Sequence, residues 1–328
     1  NILLIIPVLL CILFIIFTIN QLTPGDPVLN FVPDDYTQEQ YDTYAAKLGV
    51  DKPFMTQFFN YVKGIVTRFD FGTSYQSKRP VTAEIGERFP VSLKLGLLSC
   101  LLTVVVGIPL GVISASKLYS VFDYSITFLS VFFAAVPGFW LSMMMILLFS
   151  LKLGWLPASG LESWKCYIMP VFTGAIGGIA TTVRQTRSSM LEVIRQDYIQ
   201  TARAKGLSER TVIWRHALRN AVIPVITIIG LQLGVVMGGS AIIEVIHSIP
   251  GMGTLLLTSI NRKDYPMIQT IVLFLSSIVC VLNVVVDIAY GFLDPRIKAQ
   301  YKQKKVRKHE EKIPEQRLED VGYGIDWI

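Results

Sequence analysis

Charged side chains are scarce in this 328-residue chain, of which only 16% is Asp, Glu, Lys or Arg. A typical soluble domain carries about a quarter of such residues. Hydrophobic residues make up 52% of the chain, and the mean hydropathy is +0.51. This shortage of charge argues against an ordinary soluble enzyme and indicates a protein that crosses a membrane several times.

Residues that usually carry chemistry are also few. The three histidines are too scattered for a metal motif, and the spacing of the four cysteines fits no disulfide or metal framework. The chain has neither a G-x-x-x-x-G-K-[ST] phosphate loop nor a G-x-S-x-G nucleophile motif. Gly251 and Gly253 begin like a dinucleotide fingerprint, but Leu256 stands in place of the third glycine. We therefore predict no catalytic residue and no cofactor or metal site in this chain.

Long apolar runs are what the sequence has instead. A helix needs roughly 20 apolar residues to cross a bilayer. Six runs qualify, at residues 2–19, 91–115, 124–151, 166–183, 221–246 and 267–293. The first run is longer than the apolar part of a secretory signal and is followed by no small-residue cleavage site, so we expect a retained membrane anchor.

The distribution of Lys and Arg predicts the orientation of these spans. The loop at 184–220 carries eight Lys or Arg against three acidic residues, whereas the loops at 152–165 and 247–266 carry two Lys or Arg each. Positive loops remain on the cytoplasmic side. We therefore expect the 184–220 loop and both termini to be cytoplasmic.

The stretch between the first two runs, residues 20–90, then lies outside the cell. Thr37 and Gln40 fit a capping box, which predicts a helix start. Pro53 begins a second candidate helix with one aromatic and aliphatic face, formed by Phe54, Phe58, Tyr61, Ile65 and Phe69. A small helical extracytoplasmic domain is the expected result.

Small residues recur four positions apart inside the apolar runs. The glycines in question are Gly107 and Gly111, Gly174 and Gly178, and the row Gly230, Gly234 and Gly238. In lipid, this spacing allows two helix backbones to approach closely.

Two acidic residues lie in or near the apolar runs. A membrane-buried carboxylate is costly, so Asp287 is either a proton or ion relay or a hydrogen-bonding partner of a neighbouring helix. Glu244 is close to the outer end of the fifth run, where we expect it to be in contact with water.

The basic loop contains the most distinctive local pattern. Residues 198–205 favour a helix, Gly206 can end it, and Ser208 can cap a second helix. Ala202 and Ala204 keep one surface small among basic neighbours. This shape suits insertion into a groove on a soluble partner, and the alternative is a solvated basic loop that only satisfies the orientation rule.

The basic loop resembles the "EAA" coupling loop of bacterial ABC-importer permeases. The segment TARAKGLSER at 201–210, followed by RHALRNAVIP at 215–224, is similar to that of the dipeptide/oligopeptide/nickel permease family. The resemblance extends in order over residues 2–298 through LTPGDP at 22–27, GIPLG at 107–111, LGWLPASG at 153–160, SIPGMG at 248–253, RKDYP at 262–266 and NVVVDIAYGFLDPRIK at 283–298. Gln200 and Thr201 depart from the general Glu-Ala pattern, and the tail beyond Lys298 is particular to this chain.

The resemblance implies an all-α type I importer permease in the bacterial inner membrane, with six transmembrane helices and half of a pathway for peptides, nickel or metal chelates. It implies a first transmembrane helix at 1–19, an extracytoplasmic domain at 20–90, a five-helix core at 91–293 and a cytoplasmic tail at 294–328. The residues implied to contact an ATPase subunit are Tyr198, Thr201, Ala202, Arg203, Ala204, Lys205, Gly206 and Leu207.

The same resemblance implies the partners. They are a second permease subunit, two cytoplasmic ATPases that bind ATP and Mg²⁺, and an extracytoplasmic binding protein or lipoprotein. The basic cluster of the tail, at residues 302–308, can bind anionic lipid heads, whereas no fold supports nucleic-acid binding. The favoured interpretation is a partly disordered, solvated tail. Two rival functions are a proton-coupled secondary transporter that uses Asp287 and a non-transporting scaffold.

Overall fold

The computed structural model describes residues 2–33, 35–239 and 241–293, and these residues are almost entirely helical. The single β-bridge within these ranges joins Thr73 to Pro80. The α-helices are α1 (Ile2–Leu22), α2 (Gln38–Leu48), α3 (Phe54–Arg68), α4 (Val81–Ser116), α5 (Val121–Ala135), α6 (Gly138–Met145), α7 (Ile168–Ile194), α8 (Asp197–Ala204), α9 (Glu209–Thr211), α10 (Leu218–Gly239), α11 (Ala241–Ile246), α12 (Met252–Asn261) and α13 (Tyr265–Leu293). The predicted tail at 294–328 lies outside the described residues.

Five helical segments among the described residues are long and apolar enough to cross a membrane on their own. They are Leu4–Leu22, Val81–Ser116, Trp164–Ile194, Glu209–Gly234 and Tyr265–Ile288. They match five of the six predicted runs.

The sixth predicted run, at 124–151, is not one straight helix but two helical segments joined at a bend. α5 ends before Pro137, and the helical segment Gly138–Lys152 leaves at 99° to it. Val136 has an extended backbone, with ψ at 123°. The proline ring disfavours a helical conformation in the residue before it, which accounts for the position of the bend.

Helices α4 and α7 approach each other along two complementary rows of small residues. A Cβ atom added to Gly107 would lie 2.9 Å from the Cβ of Thr182, and one added to Gly111 would lie 2.5 Å from the Cβ of Thr186. The glycines of α7 face α4 in the same way. A Cβ atom added to Gly174 would lie 2.8 Å from the hydroxyl oxygen of Ser99, and one added to Gly178 would lie 2.9 Å from that of Thr103. Each glycine therefore faces a Ser or Thr of the other helix, which confirms the close packing predicted from the spacing.

The register of these contacts shows that α4 and α7 are parallel. Moving four residues along α4, from Gly107 to Gly111, moves the contact four residues forward along α7, from Thr182 to Thr186. Two parallel spans require the chain between them to cross the membrane once in the opposite direction. We infer that the bent segment from α5 to Lys152 makes this crossing, which completes six spans.

Two helices extend beyond the apolar runs that predicted them. α4 begins at Val81, before the predicted boundary at residue 90, and α7 continues to Ile194. The additional turns contain charged residues such as Glu84 and Glu192, so hydropathy detects only the part of each helix that lies in lipid.

The region between α1 and α4 contains the two predicted helices. The Thr37–Gln40 capping box is present, and α3 follows Pro53. Phe54 and Phe58 of α3 pack edge-to-face against aromatic side chains of α1. Phe69 does not belong to this face, because it ends α3 with a left-handed backbone and is 80% exposed.

Glu244 contradicts the expectation that it is in contact with water, because it is completely buried. Its carboxylate accepts hydrogen bonds from the Ser92 hydroxyl at 2.6 Å and from the backbone N–H groups of Gly253 and Thr254 at 2.8 and 3.2 Å. It therefore caps the N-terminus of α12, where free N–H groups and the helix dipole favour a negative charge.

Asp264 provides a second buried carboxylate at the same end of the molecule. It accepts hydrogen bonds from the Ser74 hydroxyl and from the backbone N–H of Tyr75, the latter at 3.0 Å. These contacts attach the segment before α4 to the segment before α13. The RKDYP motif thus has a structural role in joining the segment between α3 and α4 to the start of α13.

The α4–α7 packing leads to a matched pair of substitutions within one helix. Gly111→Ala places a Cβ 2.5 Å from Thr186, and overpacking of this kind costs about 1–3 kcal/mol. Gly86→Ala meets nothing within 4 Å. We expect a lower thermal midpoint in detergent for Gly111→Ala only, and equal midpoints would contradict the packing described here.

Candidate coupling surface

The polypeptide after α7 forms a short helix, a glycine turn and a second helix start, as the sequence predicted. α8 covers Asp197–Ala204, and Gly206 has a φ of 76°, a left-handed conformation that glycine adopts without strain. The Ser208 side chain accepts a hydrogen bond from the backbone N–H of Thr211. From there α9 and a π-helical segment, Val212–Ala217, continue into α10.

One face of α8 packs against the ends of the transmembrane helices. Ile199 is fully buried and Ala202 is 8% exposed. They belong to one apolar cluster with Val112 of α4, Met190 of α7 and Ala217 of the π-helical segment. Ala202 and Ala204 were predicted to lie on one small surface, but the structure separates them: Ala202 points into the bundle, whereas Ala204 is exposed.

The opposite face of α8 and the following turn are open to solvent. The side chains exposed there are those of Tyr198, Thr201, Ala204, Lys205 and Leu207, and the Gly206 backbone is exposed beside them. Tyr198 is 42% exposed and Leu207 39%, so apolar surface is available among polar groups. Seven of the eight predicted contact residues therefore lie at or near one surface. The eighth, Ala202, packs on the opposite face of α8, against the bundle.

Local polar contacts hold the shape of this surface. Arg203 forms an ion pair with Glu209 at 2.7 Å across the Gly206 turn. The amide of Asn220 in α10 donates a hydrogen bond of 2.7 Å to the Tyr198 hydroxyl. The first contact connects α8 to α9, and the second connects it to α10.

An ion pair between α5 and α7 was not identified from the sequence. Arg187 of α7 donates two hydrogen bonds to the Asp123 carboxylate, at 2.7 and 2.9 Å. The same carboxylate accepts hydrogen bonds from the Ser114 hydroxyl and the Tyr119 backbone N–H. Asp123 is 2% exposed, and these contacts join α4, α5 and α7 at one point. The available signal was an acidic residue directly before an apolar run, following the Ser120 helix cap.

No group of three His, Cys, Asp or Glu side chains within the described parts of the chain is placed to hold a metal ion. Of the three histidines, His247 is buried, with its Nδ1 atom 3.0 Å from the carbonyl oxygen of Ile243. His309 lies outside the described residues.

Comparison with known families accounts for this arrangement. Residues 107–299 match the family described as "Binding-protein-dependent transport system inner membrane component", and residues 2–96 match the N-terminal model of such membrane components. The chain belongs to this family. It is a multi-pass inner-membrane permease component of an ABC importer of the peptide family, and it is not an enzyme.

Individual relatives are similar over nearly their whole length. The permease is 39% identical to the oligopeptide transport system permease protein AppB of Bacillus subtilis over 303 residues, which covers 89% of this chain and 96% of the relative. It is also 39% identical to the glutathione transport system permease protein GsiC of Salmonella typhimurium, with 89% and 95% covered. As an importer component, the permease works with ATPase and substrate-binding partners.

A solved structure supports the fold. The inward-facing MetNI methionine ABC transporter contains a chain that matches 65% of the permease and is itself 97% covered, with a TM-score of 0.56 and 16% sequence identity. At this identity the likeness concerns the fold alone. It confirms the predicted fold class of an ABC importer permease.

The Asp123–Arg187 ion pair leads to a prediction about the stability of the permease. Asp123→Asn leaves the partly buried Arg187 without its counter-charge, and breaking a buried pair costs about 3 kcal/mol. The control is Glu209→Gln, which removes an exposed pair worth about 0–1 kcal/mol. We expect the thermal midpoint of the detergent-purified permease to fall clearly for Asp123→Asn and very little for Glu209→Gln; equal losses would refute the role of the pair.

Proposed function

We propose that the permease forms half of a translocation pathway for short peptides and docks on a cytoplasmic ATPase through α8. The assembly contains a second related permease, two ATPase subunits that bind ATP and Mg²⁺, and an extracytoplasmic binding protein. The observation that carries this proposal is the division of α8 into a face buried in the bundle and a face open to a partner. The named cargoes of the relatives, oligopeptides and the tripeptide glutathione, favour peptides over nickel or metal chelates.

A route for force between the ATPase and the membrane supports the proposal. Closure of the ATPase pair around ATP would displace α8, and Ile199 and Ala202 would transmit this displacement to the ends of α4 and α7. The Asp123–Arg187 pair makes α5 move with them. Because cores are close-packed and only slightly compressible, a push on α8 moves whole helices.

A cavity of about 360 Å³ on the α7 side of the bundle fits the proposed pathway. It is lined by residues of α5, α6, α7, α10 and α11, including Gly177, Thr181 and Gln232, and none of its lining residues is charged. An uncharged wall with small residues would let peptides of different net charge pass without being held.

The proposed orientation places α8 and both termini in the cytoplasm and the 20–90 region outside. Six crossings, with α4 and α7 parallel, are consistent with two cytoplasmic termini. In this orientation the buried acids Glu244 and Asp264 lie at the outer end, where a binding protein would dock.

Cysteine cross-linking tests the docking face of α8. In a permease whose native cysteines are replaced, Thr201→Cys or Ala204→Cys should form cross-links to the ATPase subunit, because both positions are exposed. Ala202→Cys is the matched control, since this position faces α4 and α7 and should not cross-link. Efficient cross-linking from residue 202 with none from 201 and 204 would place the ATPase on the wrong side of α8.

The Gly206 turn provides a test of coupling. Gly206→Val should abolish most peptide-driven ATP hydrolysis while leaving membrane insertion unchanged, because a β-branched residue resists a φ of 76°. Gly206→Asn is the control, since asparagine tolerates the left-handed conformation and nothing lies within 4 Å of the added Cβ. Normal ATP-driven uptake by Gly206→Val, at equal abundance in the membrane, would count against coupling through this turn.

A further inference from the structure

A polar cavity of about 590 Å³ lies at the junction between the 20–90 region and the transmembrane helices. It is a half-open cavity bordered by the end of α1, the turn after it, α2, α3 and the start of α13. Its volume is within the range of small-molecule binding sites, roughly 300–1,000 Å³. We call it the junction cavity.

The junction cavity contains a buried hydrogen-bond donor without a partner. Asn20, near the end of α1, lines the cavity and is only 6% exposed. Its Nδ2 atom is buried and has no hydrogen-bond partner among the described residues. Buried polar groups are almost always paired, so a ligand toward which the Asn20 side chain turns would supply the acceptor that this amide lacks.

Two neutral tyrosines also line the cavity. The hydrogen bond from Tyr41 to Asp26 raises the pKa of Tyr41 to about 12, and burial raises the pKa of Tyr61 to about 12. Both phenols are therefore protonated at neutral pH. Tyr41 donates its proton to Asp26, and Tyr61 donates to the Thr270 oxygen, since the Thr270 proton goes to the carbonyl oxygen of Pro266. The two hydroxyl oxygens that line the cavity are then acceptors for a ligand. The tyrosine rings also offer flat apolar surface to a ligand side chain.

The lining contains charges of both signs. Asp26 uses its carboxylate to accept from Val28 N–H at 2.8 Å and from the Tyr41 hydroxyl, which leaves lone pairs free on a group with about four acceptor sites. Lys47 and Lys52 line the cavity from the end of α2 and the following loop. A zwitterion would find a partner for each of its charged ends here.

The walls of the cavity are attached to the transmembrane helices. The Tyr61 hydroxyl is 3.0 Å from the Thr270 hydroxyl in α13, and Tyr265 donates to the carbonyl oxygen of Gly25 at 3.4 Å. Gln269 of α13 also lines the cavity and is 6% exposed. A molecule in this cavity would thus touch both the small domain and a membrane-spanning helix.

From this geometry we propose that the junction cavity is a binding site for a short zwitterionic peptide, with Asn20 as a donor to a peptide carbonyl. The inference rests on the proposed peptide-import function and adds a site on the permease, separate from the binding protein and from the cavity lined by Gln232. A peptide carbonyl matches the Asn20 amide, peptide N–H groups match the hydroxyl oxygens of Tyr41 and Tyr61, and the two peptide termini match Asp26 and the lysines.

Photo-cross-linking in the assembled importer tests the site directly. The probe is the tripeptide Ala-Bpa-Ala, whose central residue is p-benzoylphenylalanine, and mass spectrometry identifies the labelled segments. We expect labels in segments that contain Asn20, Tyr61 or Gln269, and we expect excess trialanine to suppress them. Labels confined to other parts of the permease would overturn the proposal without any variant.

Variants of Asn20 then test the hydrogen bond. Asn20→Ala and the isosteric Asn20→Asp both remove the donor, and each should weaken trialanine competition by about 3–10-fold, the loss expected for one hydrogen bond. Asn261→Ala, an exposed asparagine at the end of α12 that does not line the cavity, is the control. Unchanged competition in both Asn20 variants would overturn the role of this residue.

ATP-driven trialanine uptake by the same wild-type complex separates the two proposals. Uptake without labelling in the cavity overturns the junction site and leaves the import function intact. Absence of uptake of any peptide by the wild-type complex overturns the import function, and the junction site with it.

Discussion

The close contact between α4 and α7 is the constraint on which the rest of the structure depends. Without hydrophobic attraction between helices in lipid, the two backbones associate by dispersion and by small residues that let them approach. Each of these glycines packs against a Ser or Thr of the other helix: Gly111 lies against Thr186, and Gly178 lies against Thr103. The pairing permits little sliding, because a shift along the helices would move each glycine off its partner.

The pair α4 and α7 connects the two ends of the molecule. At one end, Ser92 of α4 meets Glu244 and the start of α12. At the other end, Val112 of α4 and Met190 of α7 pack against α8. Between these points lies one tightly packed two-helix unit, which gives a physical basis for coupling an ATPase on one side of the membrane to events on the other.

Local sequence patterns predicted the elements that depend on neighbouring residues. The capping box at Thr37, the helix, glycine turn and cap around Gly206, and most of the spans could be predicted because hydropathy and capping depend on adjacent positions. The spacing of the glycines also predicted which helix faces can approach another helix closely. It did not predict which helix would face which, since that depends on contacts between distant parts of the chain.

The features missed by the sequence analysis are long-range contacts. Glu244 is buried because Ser92 and the start of α12 surround it, and Asp123 is buried because Arg187 reaches it from α7. A hydropathy profile shows Glu244 and Asp123 only as charged residues near apolar runs, so it cannot identify the groups that they contact. Ala202 shows the same limit, because its small size suited either a partner groove or the bundle interior.

The measurement that tests the account most directly is transport by the complete complex in liposomes. The permease, co-purified with its partners, should take up trialanine only when ATP is present on the side of α8, and vanadate should stop both uptake and ATP hydrolysis. Uptake by the permease alone, driven by a proton gradient and abolished by Asp287→Asn, would contradict the account and favour a secondary transporter.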